Sequence, residues 1–285
     1  FWTLDGVAQA LTGHSVGGPS NAHRLSGIFG AGNLKLGLAL ATLSPFLLLP
    51  AARRGVVPWL AVAGALGVVI LLAGARAAWL TFGLVLVFTG WRQWGWRRTA
   101  VGVLAGGVVT VALAAAFSDY LGPRVQRTLG ALHLQEGGLD FALSGRVVLW
   151  GTTLRIIADH PVTGVGVDNF QSAYKAYAEG GDQFVQWGRP GAFHAHQIVL
   201  EVLSETGVVG LLLWLAALAL ALRAWRYADA AARQRAGPAA LALAVTVFPL
   251  NTHLAFYSTF WGGVTLLLAA LYAGVLLARP AAADP

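Results

Sequence analysis

Long apolar runs, broken by short basic connections, set the pattern of the chain. Seven stretches are long enough, or nearly so, to cross the ~30 Å hydrocarbon core of a bilayer as helices. They are residues 34–50, 56–73, 77–90, 99–117, 207–222, 239–256 and 260–278. The third is short. Pro249 is expected to kink or end the sixth, because proline lacks the helical N–H and its ring clashes with the preceding turn. Gly102 and Gly106, with Gly64, Gly67, Gly83 and Gly107, suit close helix packing in lipid. The predicted fold is all-α: a polytopic transmembrane helical bundle of about seven spans, with a long, partly helical outer loop. As a domain plan, residues 1–285 form a single membrane domain, with residues 118–206 as an extracytoplasmic loop inserted between spans four and five.

The charges orient this bundle. Arg53 and Arg54 separate spans one and two; Arg92, Arg97 and Arg98 separate spans three and four; Arg223, Arg226, Arg233 and Arg235 separate spans five and six; Arg279 follows span seven. These connections share one side, which the positive-inside rule makes cytoplasmic. The outer side then holds residues 1–33, the turn at 74–76, the loop 118–206 and the turn at 251–259. All seven His fall there, as do all the acidic residues except Asp229 and Asp284. Any active site is therefore expected on the outer face.

Composition agrees with lipid as the main solvent: 11% of residues are charged, against about 25% in soluble domains. The net charge of +7 reads as arginine collected in cytoplasmic connections, and no basic cluster interleaved with aromatics points to nucleic acid. The absence of Cys excludes disulfides, thiolate zinc sites and a cysteine nucleophile. The chain starts at Phe1 and contains no Met, which reads as a portion of a longer polytopic protein. Residues 1–13 lack the basic-then-apolar pattern of a signal peptide.

The 118–206 loop is too long for a bare connector. Ser144 is a candidate N-cap for a helix carrying Val147, Val148, Leu149, Trp150, Leu154, Ile156 and Ile157. That helix is expected to end near Asp159–His160, ahead of Pro161, with its Trp and Ile face in the interface or against the spans. Thr163-Gly164-Val165-Gly166-Val167-Asp168-Asn169-Phe170 lacks the third glycine of a dinucleotide fingerprint and reads as a glycine-hinged loop. Phe193-His194-Ala195-His196-Gln197 follows, then Glu201, Glu205, Gly207 and Gly210, which places His196 at the entrance to span five.

Three arginines are candidate ligands for an anion. Arg76 lies at the outer end of span two, where a charge at membrane depth costs several kcal/mol unless it meets a cavity or partner; snorkelling to the interface is the plainer reading. Arg146 opens the loop helix, and Arg24 precedes span one in Arg24-Leu25-Ser26-Gly27. The guanidinium fork suits phosphate, so several outer Arg at headgroup level would hold a lipid diphosphate. Histidine, with an ordinary pKa of ~6.5, can take a hydroxyl proton near neutral pH. A sugar hydroxyl so activated would attack an anomeric carbon while arginines stabilise the departing diphosphate.

These motifs, in this order, resemble the O-antigen ligase / O-antigen polymerase family of bacterial membrane glycosyltransferases. His196-Gln197, nine residues, then Gly207-Val208-Val209-Gly210 is similar to that family's His-(Asn/Ser/Gln)-x9-Gly-x-x-Gly signature. Arg24-Leu25-Ser26-Gly27 with Asn33 and Gly37, Ala75-Arg76-Ala77-Ala78-Trp79-Leu80, and Ser144-Gly145-Arg146 with Trp150, His160-Pro161, Gly164-Val165-Gly166 and Phe170 add to the resemblance. It departs where Gln197 replaces the commoner Asn, Ala75 replaces Ser, and the usual Pro before Asn33 is missing. The resemblance implies a GT-C-like helical fold in the bacterial inner (cytoplasmic) membrane, with the active site facing the periplasm or exterior. It implies a metal-independent, inverting transfer of a glycan from an undecaprenyl-diphosphate-linked donor, with no cofactor. The acceptor would be lipid A core, a growing glycan or a protein. His196 would be the catalytic base, and Arg76 and Arg146, joined by Arg24, would bind the diphosphate. His194, Gln197, Asp168 and Glu205 are candidate supporting or acceptor-binding residues, with Tyr174 a further acceptor contact.

Two other classes compete. A transporter of lipid-linked sugars would carry polar residues and unwound helices at mid-span, whereas the middles of these spans are clean. A zinc hydrolase built on His194 and His196 would need a third ligand such as Glu201 or His160. Glu201 and Glu205 lie one helical turn apart, and their plain reading is helix-start charges favoured by the macrodipole.

Overall fold

Glycine and proline set the helix ends in this chain. The computed structural model describes residues 1–19, 24–116, 145–250 and 255–278. It is mostly helical, with one two-stranded sheet among the described residues. The chain divides into two units, Phe1–Gly138 and Leu139–Pro285.

In the first unit, α1 (Trp2–Thr12) ends at Gly13, whose φ of 76° is the left-handed cap that glycine adopts freely. A short hairpin (β1, His14–Ser15; β2, Gly18–Pro19) and a 3-10 turn at Gly27–Phe29 follow. The expected first span is a bent pair, α2 (Lys35–Leu43) and α3 (Pro45–Arg54), joined at 43°. The bend falls at Pro45, which has no N–H to continue the ladder. Pro50, expected to close that span, lies inside α3, and the helix runs on to Arg54. Next come α4 (Val56–Ala73), with the bounds expected, then α5 (Arg76–Trp94) and α6 (Trp96–Ala116). α2 packs on α4 and α5, and α1 lies on α4. Gly37 is where backbones meet: a Cβ there would stand 3.0 Å from the Ala73 methyl.

In the second unit, α7 (Arg146–Asp159) and α8 (Phe170–Tyr177) precede a long helix, α9 (Ile198–Tyr227), then α10 (Ala230–Thr246) and α11 (Thr259–Leu277). The loop helix ends where expected, ahead of Pro161. Its N-cap is Gly145, at φ 79°; Ser144 lies outside the described residues. Leu149 and Ile156 of α7 are fully buried against Phe170 and Tyr174 of α8 and Ala192 and Ala195 of the following loop. α7 also packs on α9, while its Val147, Val148 and Leu154 are exposed.

Seven spans is more than the described helices support. Three are long and apolar enough to cross a membrane (Val56–Ala73, Ile198–Tyr227 and Thr259–Leu277), or four if the bent pair counts as one. Arg76 and Arg92 dilute α5, and α10, 17 residues long with Arg233 and Arg235 near its start, is too short. The sixth run shifts as well. Its helix covers Ala230–Thr246 and stops before Pro249, which disfavours helical geometry in the residue ahead of it.

Candidate active site

His196 stands two residues ahead of α9 with φ 54°, a left-handed conformation uncommon outside glycine. The neighbouring contacts hold it. On one side, the Trp150 indole N–H of α7 donates to the Ala195 carbonyl at 3.0 Å, and Ala195 is fully buried. On the other, the His196 backbone N–H meets His194 Nδ1 at 3.3 Å. The two imidazole rings lie 3.9 Å apart between centroids, and His196 Nδ1 is buried. Gln197 is the N-cap of α9: its Oε1 accepts from Leu200 N–H at 2.6 Å, and its Nε2 donates to the Pro249 carbonyl at 3.2 Å. A side-chain acceptor here satisfies one of the unpaired donors of a helix start, which gives the Asn/Ser/Gln choice after the His a physical reason.

Glu201 and Glu205 depart from their plain reading as solvated helix-start charges. Both are buried, at 1% and 3% exposure. Glu201 Oε1 accepts from Tyr257 N–H at 3.2 Å, and its Oε2 lies 3.6 Å from His194 Nδ1. Glu205 accepts from the backbone N–H of Asp168 at 2.5 Å. Asp168 is exposed, with φ 64°.

The two glycine motifs of the second unit are halves of one device. α9 is broken at Gly207 (φ 64°, ψ −163°). In an unbroken helix the Ser204 and Glu205 carbonyls would take the N–H groups of Val208 and Val209. Here the segment from Pro161 to Gly166 supplies all four exchanged partners. Val165 and Gly166 N–H donate to the Ser204 and Glu205 carbonyls, each at 2.9 Å; Val208 and Val209 N–H donate to the Pro161 and Val162 carbonyls at 2.9 and 3.2 Å. Both glycines are sterically required. A Cβ on Gly164 would fall 2.3 Å from the Glu205 carbonyl carbon, and one on Gly207 would fall 2.2 Å from the Val162 oxygen. Gly210 leaves room for Thr206, whose hydroxyl bonds the Val202 carbonyl at 2.7 Å and meets Tyr257 Oη at 3.0 Å. Burial raises the Tyr257 pKa above its ordinary range.

Arg146 is the first residue of α7, one turn before Trp150 and on the same face. The structure thus gathers His194, His196, Gln197 and Glu201 at the head of α9, with Trp150 bracing them and Asp168–Glu205 one turn further along. Tyr174 is a core residue instead of an acceptor contact: it is fully buried, and its hydroxyl donates to Asp182 at 2.7 Å. Burial, with Asp182 beside it, keeps that hydroxyl protonated well above the usual range. Among the described residues no three of His, Asp and Glu gather as metal ligands.

Arg24 and Arg76 belong to the first unit, where the fold brings their backbones to one end. Leu25 N–H donates to the Leu72 carbonyl at 3.3 Å, setting the Arg24 segment on the last turn of α4. Gly74 (φ 71°) then turns the chain into α5, which opens at Arg76. Sequence reasoning missed the residue that secures this arrangement. Gln9, 1% exposed, accepts from Ser26 and Gly27 N–H at 2.9 and 2.8 Å, and donates to Ser15 and Ser26 hydroxyls at 3.2 and 3.4 Å. Its signal was only a polar residue on an otherwise ordinary amphipathic helix. Asn33 Oδ1 accepts from the N–H of Lys35, the first residue of α2, at 3.1 Å.

A family model described as O-antigen ligase matches residues 60–215, more than half of the chain. That stretch includes Arg76, Arg146, the His196-Gln197 pair and both glycines of the Gly207–Gly210 motif. Arg24 and Gln9 lie before it. No curated protein matches the chain.

Proposed function

Because the chain belongs to the O-antigen ligase family, we propose that it moves a glycan from an undecaprenyl-diphosphate carrier to an acceptor hydroxyl on the outer side of the cytoplasmic membrane. One observation above all supports this reading. His196, in the matched stretch, is clamped in a left-handed backbone at the head of a helix apolar enough to cross the membrane. A base so fixed is arranged for proton transfer from a positioned hydroxyl.

In the proposed reaction, His196 takes the acceptor hydroxyl proton. Its Nδ1 is buried, and in this reading Nε2 takes that proton. The acceptor oxygen forms its bond to the anomeric carbon as the bond from that carbon to the diphosphate oxygen breaks, with inversion. Arg76, Arg146 and Arg24 neutralise the departing lipid diphosphate by charge-assisted hydrogen bonds. In this reading Asp168, exposed on the glycine loop, contacts the acceptor. Lipid A core, a growing glycan and a protein are the candidate acceptors. A polymerase or protein glycosyltransferase would run the same chemistry on a different hydroxyl.

The test is His196→Ala in the full-length protein, with transfer assayed from a defined undecaprenyl-diphosphate-linked glycan in the presence of EDTA. Wild type is expected to transfer and the folded variant to lose activity by a factor of about 10² or more, the scale of a general base. A folded variant that keeps near-normal transfer removes His196 from the chemistry. Loss of wild-type activity in EDTA would point to a metal.

A further inference from the structure

A carboxylate withdrawn from water is costly unless it is paired, and Glu201 is withdrawn almost completely, at 1% exposure. Holding the Tyr257 N–H needs only one oxygen, which a glutamine carbonyl would supply. The second oxygen, Oε2, is buried, has no hydrogen bond among the described residues and lies 3.6 Å from His194 Nδ1. That same Nδ1 receives the His196 backbone N–H at 3.3 Å, and the His194 ring lies against the His196 ring. Glu201 therefore meets His194, and His194 meets the proposed base His196.

We propose that Glu201 and His194 are a positioning pair that fixes the ring and backbone of His196 for proton transfer, an inference that rests on His196 being the base. The logic is that of a base oriented by a third group. Glu201 Oε2 bounds the His194 ring from within, and His194 in turn holds His196 by accepting its amide N–H and by ring contact. Neither residue touches the reacting hydroxyl. Their loss lets the His196 ring wander from the attack geometry without weakening donor binding.

The test compares Glu201→Gln, His194→Gln, the double variant and His196→Ala in the full-length protein, with an undecaprenyl-diphosphate-linked glycan as donor. Folding is checked by thermal unfolding in detergent. Each single variant is expected to lower kcat by about 10–100-fold, the cost of a misplaced reacting group, with KM unchanged within about twofold. The double variant is expected to be no worse than the weaker single, because residues acting as one unit are not additive. If Glu201→Gln does not fold, the half-buried His194→Gln decides alone. Normal kcat in folded variants, losses that multiply in the double, or losses confined to KM would overturn the positioning role while His196→Ala remained inactive. Activity retained by His196→Ala would overturn the base assignment itself.

Discussion

His196, Asp168 and Trp187 are the non-glycine residues with positive φ among the described residues, and the first two lie beside the candidate site. Such a backbone costs a residue with a Cβ roughly 1–2 kcal/mol and persists only where neighbours over-determine it. For His196, the clearest restraint from outside its own loop is the Trp150 indole. Trp150→Phe keeps the ring but removes the N–H, leaving the fully buried Ala195 carbonyl unpaired at a cost of about 1–3 kcal/mol. The expected result is a lower unfolding temperature in detergent together with a lower kcat, measured on the same preparation. A variant that melts lower but turns over normally would show that the bond serves stability alone.

At the scale of elements, the interrupted helix α9 is the feature on which the site is built. Gly207→Ala places a methyl into the Val162 carbonyl and forces a strained φ. It is expected to release the 161–166 segment from α9, seen as proteolytic sensitivity near Pro161 and loss of transfer. Unchanged protease resistance would count against the coupling of the two segments. Much of this element structure was legible in advance. Pro161 placed the end of the loop helix near Asp159, and apolarity placed α4. What stayed hidden was relational. The sequence shows Gly164 and Gly207 as separate motifs some forty residues apart, and only the fold shows them facing one another. Glu201 and Glu205 looked like solvated charges because helix-start acids usually are; their burial depends on Tyr257 and Asp168, which come from distant stretches. Gln9 was invisible for the same reason, since a lone polar residue on a surface helix does not announce which backbone it will hold. The sixth apolar run was misplaced because apolarity continues past Thr246 while helical geometry does not.

For the whole molecule, the helices that qualify as spans establish a membrane protein, and the arginine pattern supplies an orientation to test. The chain has no Cys, so single cysteines can be introduced without background. Gly180→Cys, on an exposed turn of the loop, is expected to react with an impermeant maleimide on intact spheroplasts. Gln93→Cys, exposed at the end of α5, is expected to react only after permeabilisation. The reverse labelling would invert the proposed topology and move the site to the cytoplasmic face.

The exchange of hydrogen bonds at the α9 interruption also bears on the building of hybrids between this enzyme and its relatives. A donor stretch ending anywhere between Gly166 and Ser204 would bring one half of a mated interface and leave the other behind. Each mismatched junction would strand two carbonyls and two amides beside a bilayer that offers them no water. A transplant of this region is therefore more safely made as a cassette running from Pro161 through Gly210 than as a surface loop alone.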